Sequence, residues 1–313
     1  QGLALGLQSM MMDEIIEPGD FARVYDHGPT KNRKDAVVTS AVSLFQKSTA
    51  LDRDEARKAL GIDLNRPAVL VQLGTGDSDV NEKMTAALKG LIGWKDLQVV
   101  LTKKPIDANG NSLVPDGLEI KQVRYFPLAK VLHAFDAAIC ATGYNGVHEL
   151  LPALVPTVFV SNIRGTDDQD ARAKWCHDHG YALRADHANL SDITATVRKL
   201  SDELLRESLR NKCAELSNTA GGKQIAEILL SLANSATKKP SKRVTRFILT
   251  QVIHKATYLY RLIRPYTNNA MVDNKPVLFS QEISAEYLRS HIKGNQRFEH
   301  LIEGASKSYV DAR

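Results

Sequence analysis

The sequence predicts an α/β protein built on a doubly wound parallel sheet of the Rossmann-like type, with extra helices at the C-terminus. Short apolar runs alternate with amphipathic segments from residue 67 to residue 233, and turns rich in glycine and polar residues follow several of the runs. The composition, 43% hydrophobic and 25% charged, is typical of a globular core. Regular alternation of strand and helix indicates parallel strands joined by crossover helices.

Six runs have the length and composition of strands in such a sheet. Runs that are apolar throughout fit strands covered on both faces, and apolar residues at helical spacing predict the segments between them. The predicted strands are AVLVQLG (68–74), LQVVLT (97–102), LEIKQVRY (118–125), AAICA (137–141), TVFVS (157–161) and YALR (181–184). The predicted helices are 83–93, 128–135, 147–154, 168–180, 190–200, 201–217 and 223–233.

The C-terminal region differs in composition from the rest of the chain. SATKKPSKR (235–243) reads as a polar linker, and residues 244–263 carry apolar and aromatic residues at helical spacing with Lys and Arg between them. We therefore expect residues 235–313 to form a linker and a basic helical extension. That extension either packs on a protein surface or lies on a membrane surface.

Three widely spaced cysteines without a CxxC pair suggest neither a zinc knuckle nor a disulfide framework, and they fit a reducing compartment. No apolar run is long enough to span a bilayer. We expect a cytoplasmic protein, with peripheral contact at the inner face of the membrane left open. The charge is localised and no nucleic-acid recognition motif accompanies it, so no nucleic-acid partner is expected.

Two loops that follow predicted strands are suited to a bound anion. Their glycines allow close backbone approach, and hydroxyl or amide side chains either cap the next helix or bind phosphate oxygens. In an open α/β sheet, ligands bind beyond the carboxyl ends of the strands. The residues are Gly74, Thr75 and Gly76 in the first loop, and Thr142, Gly143, Tyr144, Asn145 and Gly146 in the second.

Acidic and amide side chains complete the candidate site. Glu149 stands one turn inside the helix that follows the second loop, where a carboxylate can accept two hydrogen bonds from a vicinal diol such as a ribose. After the TVFVS strand, Asp167, Asp168 and Gln169 crowd a helix start. They either favour the helix dipole or bind the hydroxyl groups of a sugar. A neighbouring histidine, His148, either reaches the phosphates or, as is commoner for a histidine on a helix surface, is solvated.

This order of motifs resembles the C-terminal, nucleotide-sugar-binding half of GT-B fold glycosyltransferases. It is similar to the bacterial family that transfers N-acetylglucosamine to a lipid-linked precursor, and to related UDP-glycosyltransferases. The resemblance covers residues 67–232. It rests on the GTG loop, on RYFPLAKVLHAFDAAICATGYNGVHELLPALVPTVFVSN, and on the D-x-Q motif with its flanking residues.

The resemblance implies roles for individual residues. Glu149 looks like the acid that binds the ribose, and the loop from Thr142 to Asn145 faces the diphosphate. Tyr125 takes the place where the backbone contacts the uracil, and Phe126 stacks nearby. Asp168 and Gln169, with Asp167, look like the donor-sugar contacts, and residues 74–76 like a loop that closes over the phosphates. The family carries a small residue and a glycine where residues 152–155 read PALV, so the end of that helix is altered.

The resemblance also implies a domain organisation. Residues 67–234 would form the nucleotide-sugar-binding domain, and residues 1–66 a connection between halves or the remnant of an N-terminal acceptor domain. The acceptor half, which supplies the catalytic base in inverting members, would lie in a longer chain or in a separate subunit. We expect residues 1–313 to be inactive alone.

The predicted function is transfer of a hexosyl group from a UDP-sugar to a glycan or lipid-linked acceptor. No metal or other cofactor is expected, because helix ends and N–H groups stabilise the leaving diphosphate in this fold. The catalytic base is not identified. Two alternatives stay open: a nucleotide-sugar epimerase of the same fold, and a non-catalytic nucleotide-binding or scaffold subunit.

Overall fold

The computed structural model describes residues 14–28, 31, 33–74, 78–102, 115–163, 167–216 and 219–236, together with the backbone of 270–272 and 275–277. The chain divides into two compact units, residues 1–239 and 240–313. Within the second unit, Ala270–Val272 and Lys275–Val277 pair as antiparallel strands. The expected helix at 244–263 lies outside the described residues.

The first unit begins with a small parallel pair that the sequence did not predict. Strand β1 (Ile16–Gly19) pairs with β2 (Val37–Ala41), and a short 3-10 helix, Arg23–Tyr25, lies between them in the chain. Gly19 passes close to β2, because an added Cβ would lie 2.3 Å from the carbonyl oxygen of Thr39. Both strands are short and partly exposed, so their burial pattern carries little of the period that marks a strand.

The predicted doubly wound parallel sheet is confirmed. Its six strands are β3 (Ala68–Gln72), β4 (Gln98–Thr102), β5 (Glu119–Val123), β6 (Ala137–Ala141), β7 (Thr157–Val160) and β8 (Leu183–Ala185). They are all parallel, in the order β5-β4-β3-β6-β7-β8. This is the Rossmann order, with the first strand in the centre and the order of addition reversing between β3 and β6.

Helices lie on both faces of this sheet. In chain order they are α1 (Arg53–Leu60), α2 (Ser78–Leu91), a 3-10 helix (Leu128–Ala134), α3 (Tyr144–Leu150), α4 (Gln169–Asp178), α5 (Leu190–Arg198), a 3-10 turn (Lys199–Ser201), α6 (Glu203–Cys213) and α7 (Gly221–Ala236). Side-chain caps mark several starts: Asp52, Asp168, Asn189 and Asp202 each accept a hydrogen bond from a backbone N–H of the first turn.

The sheet is buried on both faces, as the continuous apolar runs predict. Alternate residues of each strand enter two separate cores: Leu70 and Phe159 pack toward α1, α3 and α4, whereas Val69 and Val158 pack toward α2 and α5. The period of two along a strand assigns successive side chains to opposite cores. All four of these side chains are fully buried.

A buried arginine closes the amino end of the sheet. Arg57 is fully buried, and its guanidinium donates to the carbonyl oxygens of Ala134, Asp63, Leu64 and Arg66 and to the carboxylate of Asp136. Asp136 also accepts the backbone N–H of Ala68 at the start of β3, at 2.8 Å. The polar groups at the amino end thus satisfy one another. Ligands in open α/β sheets bind at the opposite, carboxyl end.

The predicted helix at 147–154 is displaced in the structure. Helix α3 starts at Tyr144, because Gly143 already takes the extended conformation of an N-cap. After Leu150 the chain forms turns that end at Leu154, whose φ is +58°. A left-handed conformation is unfavourable for a residue that has a Cβ. The PALV segment therefore places a leucine in a backbone conformation that favours glycine.

Candidate functional site

The candidate site lies at the carboxyl edge of the sheet, where the strand order reverses. The loops after β3 and β6 diverge there, one toward each side of the sheet, and such a crevice is where open α/β sheets bind ligands. Gly74 follows β3 with φ +86°, which a residue without a Cβ adopts readily. The neighbouring Thr75 and Gly76 lie outside the described residues.

A cavity of about 580 Å³ opens beside the start of α3, and we call it the Glu149 cavity. Residues at the ends of three strands line it, together with residues of α3 and of the N-terminal segment. Five of the residues that the sequence singled out meet in this cavity. They are Tyr125, Phe126, Asn145, Gly146 and Glu149, and they share its wall with Leu44, Gln72, Thr102, Arg124 and Leu132.

Glu149 is a half-buried carboxyl group in this otherwise largely apolar wall. Burial raises its pKa from 4.5 to about 7, although the backbone N–H of Leu44 donates a hydrogen bond to it and acts in the opposite direction. The carboxyl group therefore changes its charge near neutral pH. In its ionised form it has lone pairs left for two hydroxyl donors.

The aromatic pair that follows β5 forms part of the same cavity wall. Tyr125 is half-buried and packs against the hydrophobic core, while the Phe126 side chain is 89% exposed. A large apolar ring left in solvent is available to stack on a flat ligand group. The cavity thus offers both a face for a planar ring and a carboxylate for a diol.

The loop after β6 does not use Thr142 as a helix cap. The N-cap residue of α3 is Gly143, which has no side chain to cap the helix. Thr142 is fully buried, and its hydroxyl lies 3.3 Å from the Ser161 hydroxyl. Asn145 lies within α3 and is exposed. Gly143 does leave space: a Cβ there would lie 4.0 Å from Gln169 Nε2, its nearest neighbour. Gly146 has a different role, since its Cβ would come within 2.9 Å of Cys140 Sγ, so it lets α3 pack closely on β6.

The half-buried Tyr144 and the fully buried His148 hold the N-terminal segment. The Tyr144 hydroxyl donates to the Gly19 carbonyl oxygen at 2.7 Å and accepts the Val42 backbone N–H at 2.9 Å. The expectation that His148 is solvated is wrong, because its side chain is fully buried. The Phe21 N–H donates to its Nε2, and its Nδ1 lies 2.7 Å from the Tyr144 carbonyl oxygen. The ring is therefore neutral, and burial lowers its pKa.

A second cavity, of about 830 Å³, lies between the start of α4 and the N-terminal segment, and we call it the Asp167 cavity. Tyr144, Asp167 and Asp168 line it, so the structure places these three predicted residues apart from the Glu149 cavity. Asp168 caps α4 by accepting the Ala171 N–H at 3.0 Å. Gln169 is buried and accepts the Asn162 N–H at 3.0 Å, which fixes its amide near Gly143.

Arg172 is a buried charge that the sequence did not single out. Its guanidinium donates to the Asp20 carboxylate, the Thr142 carbonyl oxygen and the Asp167 carboxylate, at 2.9, 2.8 and 2.9 Å. Burial alone would lower its pKa, but Asp20 and Asp167 outweigh that effect and the pKa is raised. The sequence carries no local signal for this cluster, since Asp20 and Arg172 are 152 residues apart.

A match to a family model shows to which protein family the chain belongs. Residues 68–253 match the model of the glycosyltransferase family 28 C-terminal domain, which is more than half of the chain. The chain belongs to this family. The matched region contains the whole six-stranded sheet and the loops after β3, β6 and β7.

This family 28 chain is similar to two curated proteins over part of their length. The chain is 29% identical over 188 residues to the UDP-N-acetylglucosamine--N-acetylmuramyl-(pentapeptide) pyrophosphoryl-undecaprenol N-acetylglucosamine transferase of Paenarthrobacter aurescens (strain TC1), which is 58% of this chain and 50% of that protein. It is 28% identical over 142 residues to the 4'-demethylrebeccamycin synthase of Lentzea aerocolonigenes, covering 45% of this chain and 32% of that protein. The chain thus spans half the length of the first relative and a third of the second.

A solved structure supports the fold of this family 28 chain. The crystal structure of Acinetobacter baumannii MurG matches with a TM-score of 0.51 and 19% identity, over 72% of this chain and 75% of that chain. The GT-B C-terminal fold is thereby confirmed. Among the described residues, no helix has the length and hydrophobicity to cross a membrane.

Proposed function

We propose that this chain binds the UDP-sugar donor of a glycosyltransferase that transfers a hexosyl group to a glycan or lipid-linked acceptor. The observation that carries the proposal is the Glu149 cavity. There a carboxyl group in the last turn of α3 shares the cavity wall with an exposed aromatic ring that follows β5, beside the point where the strand order reverses. Family 28 membership supports the reaction class.

In this proposal the uracil ring lies against Tyr125 and Phe126, and the ribose hydroxyls donate to Glu149. The diphosphate lies along the start of α3, where Gly143 leaves open space and Gln169 directs an amide N–H toward it. The sugar extends toward Asp167 and Asp168. N–H groups in such a site stabilise the charge that develops on the diphosphate as the glycosidic bond breaks.

We propose that no metal takes part in donor binding. Within the part of the chain that the structure describes, no three His, Cys, Asp or Glu side chains come together as metal ligands. The proposal rests on the neutral and cationic groups that already face the start of α3, namely the Gln169 amide and the Arg172 guanidinium behind it. Adding EDTA to a binding assay should leave the affinity for UDP unchanged.

The acceptor, its activating base and the place of reaction belong to the same proposal. The acceptor-binding half would be part of a longer chain or a separate subunit, and transfer would take place at the cytoplasmic face of the membrane. The basic residues after position 235 would favour contact with anionic lipid.

Calorimetric titration of the 313-residue chain with UDP tests the donor site. We expect Glu149→Ala to weaken UDP binding about tenfold or more, because a charge-assisted pair of hydrogen bonds contributes about 1.5–3 kcal/mol. Glu207→Ala, which removes an exposed carboxylate on α6, is the matched control and should bind as the parent does. Absence of UDP binding by the parent chain, or unchanged binding by Glu149→Ala, would contradict the proposal.

A further inference from the structure

Arg172 joins three parts of the chain that are far apart in sequence. It stands in the first turn of α4, and its side chain is 9% exposed. Through Nη1 it holds the carbonyl oxygen of Thr142, the residue that precedes Gly143 at the start of α3. Through Nη2 it holds Asp167, which lines the second cavity. The guanidinium thereby sets the distance between the loop after β6 and the loop after β7.

The N-terminal segment holds Arg172 in turn. Asp20 accepts from both Nε and Nη2 at 2.9 Å, and its other oxygen accepts the Ala22 N–H at 2.9 Å. Asp20 also lies 3.5 Å from Nε2 of the buried His148. A planar guanidinium bonded along three of its edges cannot rotate without losing several charge-assisted hydrogen bonds.

The orientation of the Arg172 guanidinium matters because it bonds to only one of the two carboxylate oxygens of Asp167. Arg172 bonds to Oδ1 of Asp167, so Oδ2 retains lone pairs for a hydroxyl donor in the Asp167 cavity. A carboxylate in a loop otherwise has several rotamers of similar energy. Tying one oxygen to a fixed guanidinium selects one rotamer and directs the second oxygen.

We propose that Arg172, held by Asp20, is a positioning residue that sets the selectivity of the site for the sugar over the bare nucleotide, by orienting Asp167 relative to the loop at Gly143. The inference rests on the proposed function, since it assumes that a UDP-sugar occupies both cavities. It goes beyond the proposed function by assigning to Arg172 an effect on the binding of the sugar rather than on the binding of UDP.

The test compares two dissociation constants of each variant of the 313-residue chain. One is for UDP, and the other is for whichever of UDP-glucose, UDP-galactose and UDP-N-acetylglucosamine the parent binds most tightly. We expect Arg172→Gln to raise the ratio of Kd for UDP-sugar to Kd for UDP about tenfold, the effect of losing one charge-assisted hydrogen bond. Arg172→Lys and Asp20→Asn should raise it about threefold, because each leaves part of the network in place.

The matched control is Arg184→Gln. Arg184 bonds to α4 through Asp170 at 2.8 Å, an ion pair on the same helix that does not bond to Thr142 or Asp167. The ratio of Kd for UDP-sugar to Kd for UDP should be the same in Arg184→Gln as in the parent. Thermal unfolding of each variant checks that it is folded, and if Arg172→Gln fails to fold, Arg172→Lys and Asp20→Asn give the result.

A double-mutant cycle separates positioning from direct contact. If Arg172 acts through Asp167, adding Arg172→Gln to Asp167→Asn changes the ratio by less than about twofold, whereas independent contacts would multiply. Multiplying effects, or a ratio unchanged in Arg172→Gln, would overturn the inference. Glu149→Ala distinguishes failure of this inference from failure of the proposed function, because it should weaken the binding of UDP itself. If UDP binding is unchanged in Glu149→Ala, both the proposed donor site and the inference are wrong.

Discussion

The charge of Glu149 should make donor affinity depend on pH in the physiological range. Its pKa is raised to about 7 in the free protein, and in the proposed function the ionised carboxylate is the form that would accept both ribose hydroxyls. If only that form binds well, lowering the pH from 8 to 6 should weaken the apparent affinity about tenfold, because the fraction ionised falls by about that factor.

The assay is calorimetric titration with a UDP-sugar between pH 6 and pH 8. A UDP-sugar is preferable to UDP, whose terminal phosphate itself takes up a proton near pH 6. Glu149→Gln has a similar shape and does not titrate, so its weaker binding should be independent of pH. This variant also isolates Glu149 from the adjacent His148. A flat profile for the parent chain, or an equal slope for Glu149→Gln, would refute the reasoning.

The same pKa shift predicts a pH effect of opposite sign on stability. Because the folded chain keeps the Glu149 proton up to about pH 7 while the unfolded chain loses it near pH 4.5, this contribution to stability is fully present below pH 4.5. It is lost as the pH rises through 7. Glu149→Gln should therefore raise the Tm more at pH 8 than at pH 5, and a Tm difference that is the same at both pH values would contradict this.

Three substitutions near α3 test the packing. Gly143→Ala should leave Tm within about 2 °C of the parent, because φ is −67° and the nearest atom is 4.0 Å away, but it should weaken UDP-sugar binding by filling the space before Gln169. Gly146→Ala should destabilise by about 2 kcal/mol in urea titration, since its Cβ would meet Cys140 Sγ at 2.9 Å, and Cys140→Ala should partly restore stability. Leu154→Gly should be about 1 kcal/mol more stable than the control Leu154→Ala, because both remove the side chain but only glycine relieves the left-handed backbone; equal stabilities would show that the backbone is unstrained there.

The parts of the fold that the sequence predicts are those in which neighbouring residues determine the structure. A run such as 68–72 is apolar throughout because both faces of β3 are covered, so its pattern carries the strand and its burial together. The sequence singles out Glu149 because it follows a glycine-containing loop and a predicted helix start, whereas Phe126 is named only through the family resemblance, and the binding roles of both stay predictions. The small β1–β2 pair was missed because its strands are short and half-exposed.

The buried polar cluster could not be predicted for a different reason. Arg172 and His148 are of residue types that are usually exposed, and each is buried only because a partner arrives from a distant part of the chain. Phe21 and His148 are 127 residues apart, and Asp20 and Arg172 are 152 apart. Periodicity and spacing act over a few turns and contain no information on such pairings.

The hydrogen bonds between the N-terminal segment and α3 limit how this protein can be divided for domain exchange. Grafting residues 67–234 alone into a related protein would leave the Tyr144 hydroxyl, the His148 ring and the Arg172 guanidinium without Gly19, Phe21 and Asp20. It would also remove the Leu44 N–H from Glu149. A transplantable domain built on the six-stranded sheet therefore has to include β1 and β2, and a chimera joined at Pro67 should fold less stably than one joined ahead of Ile16.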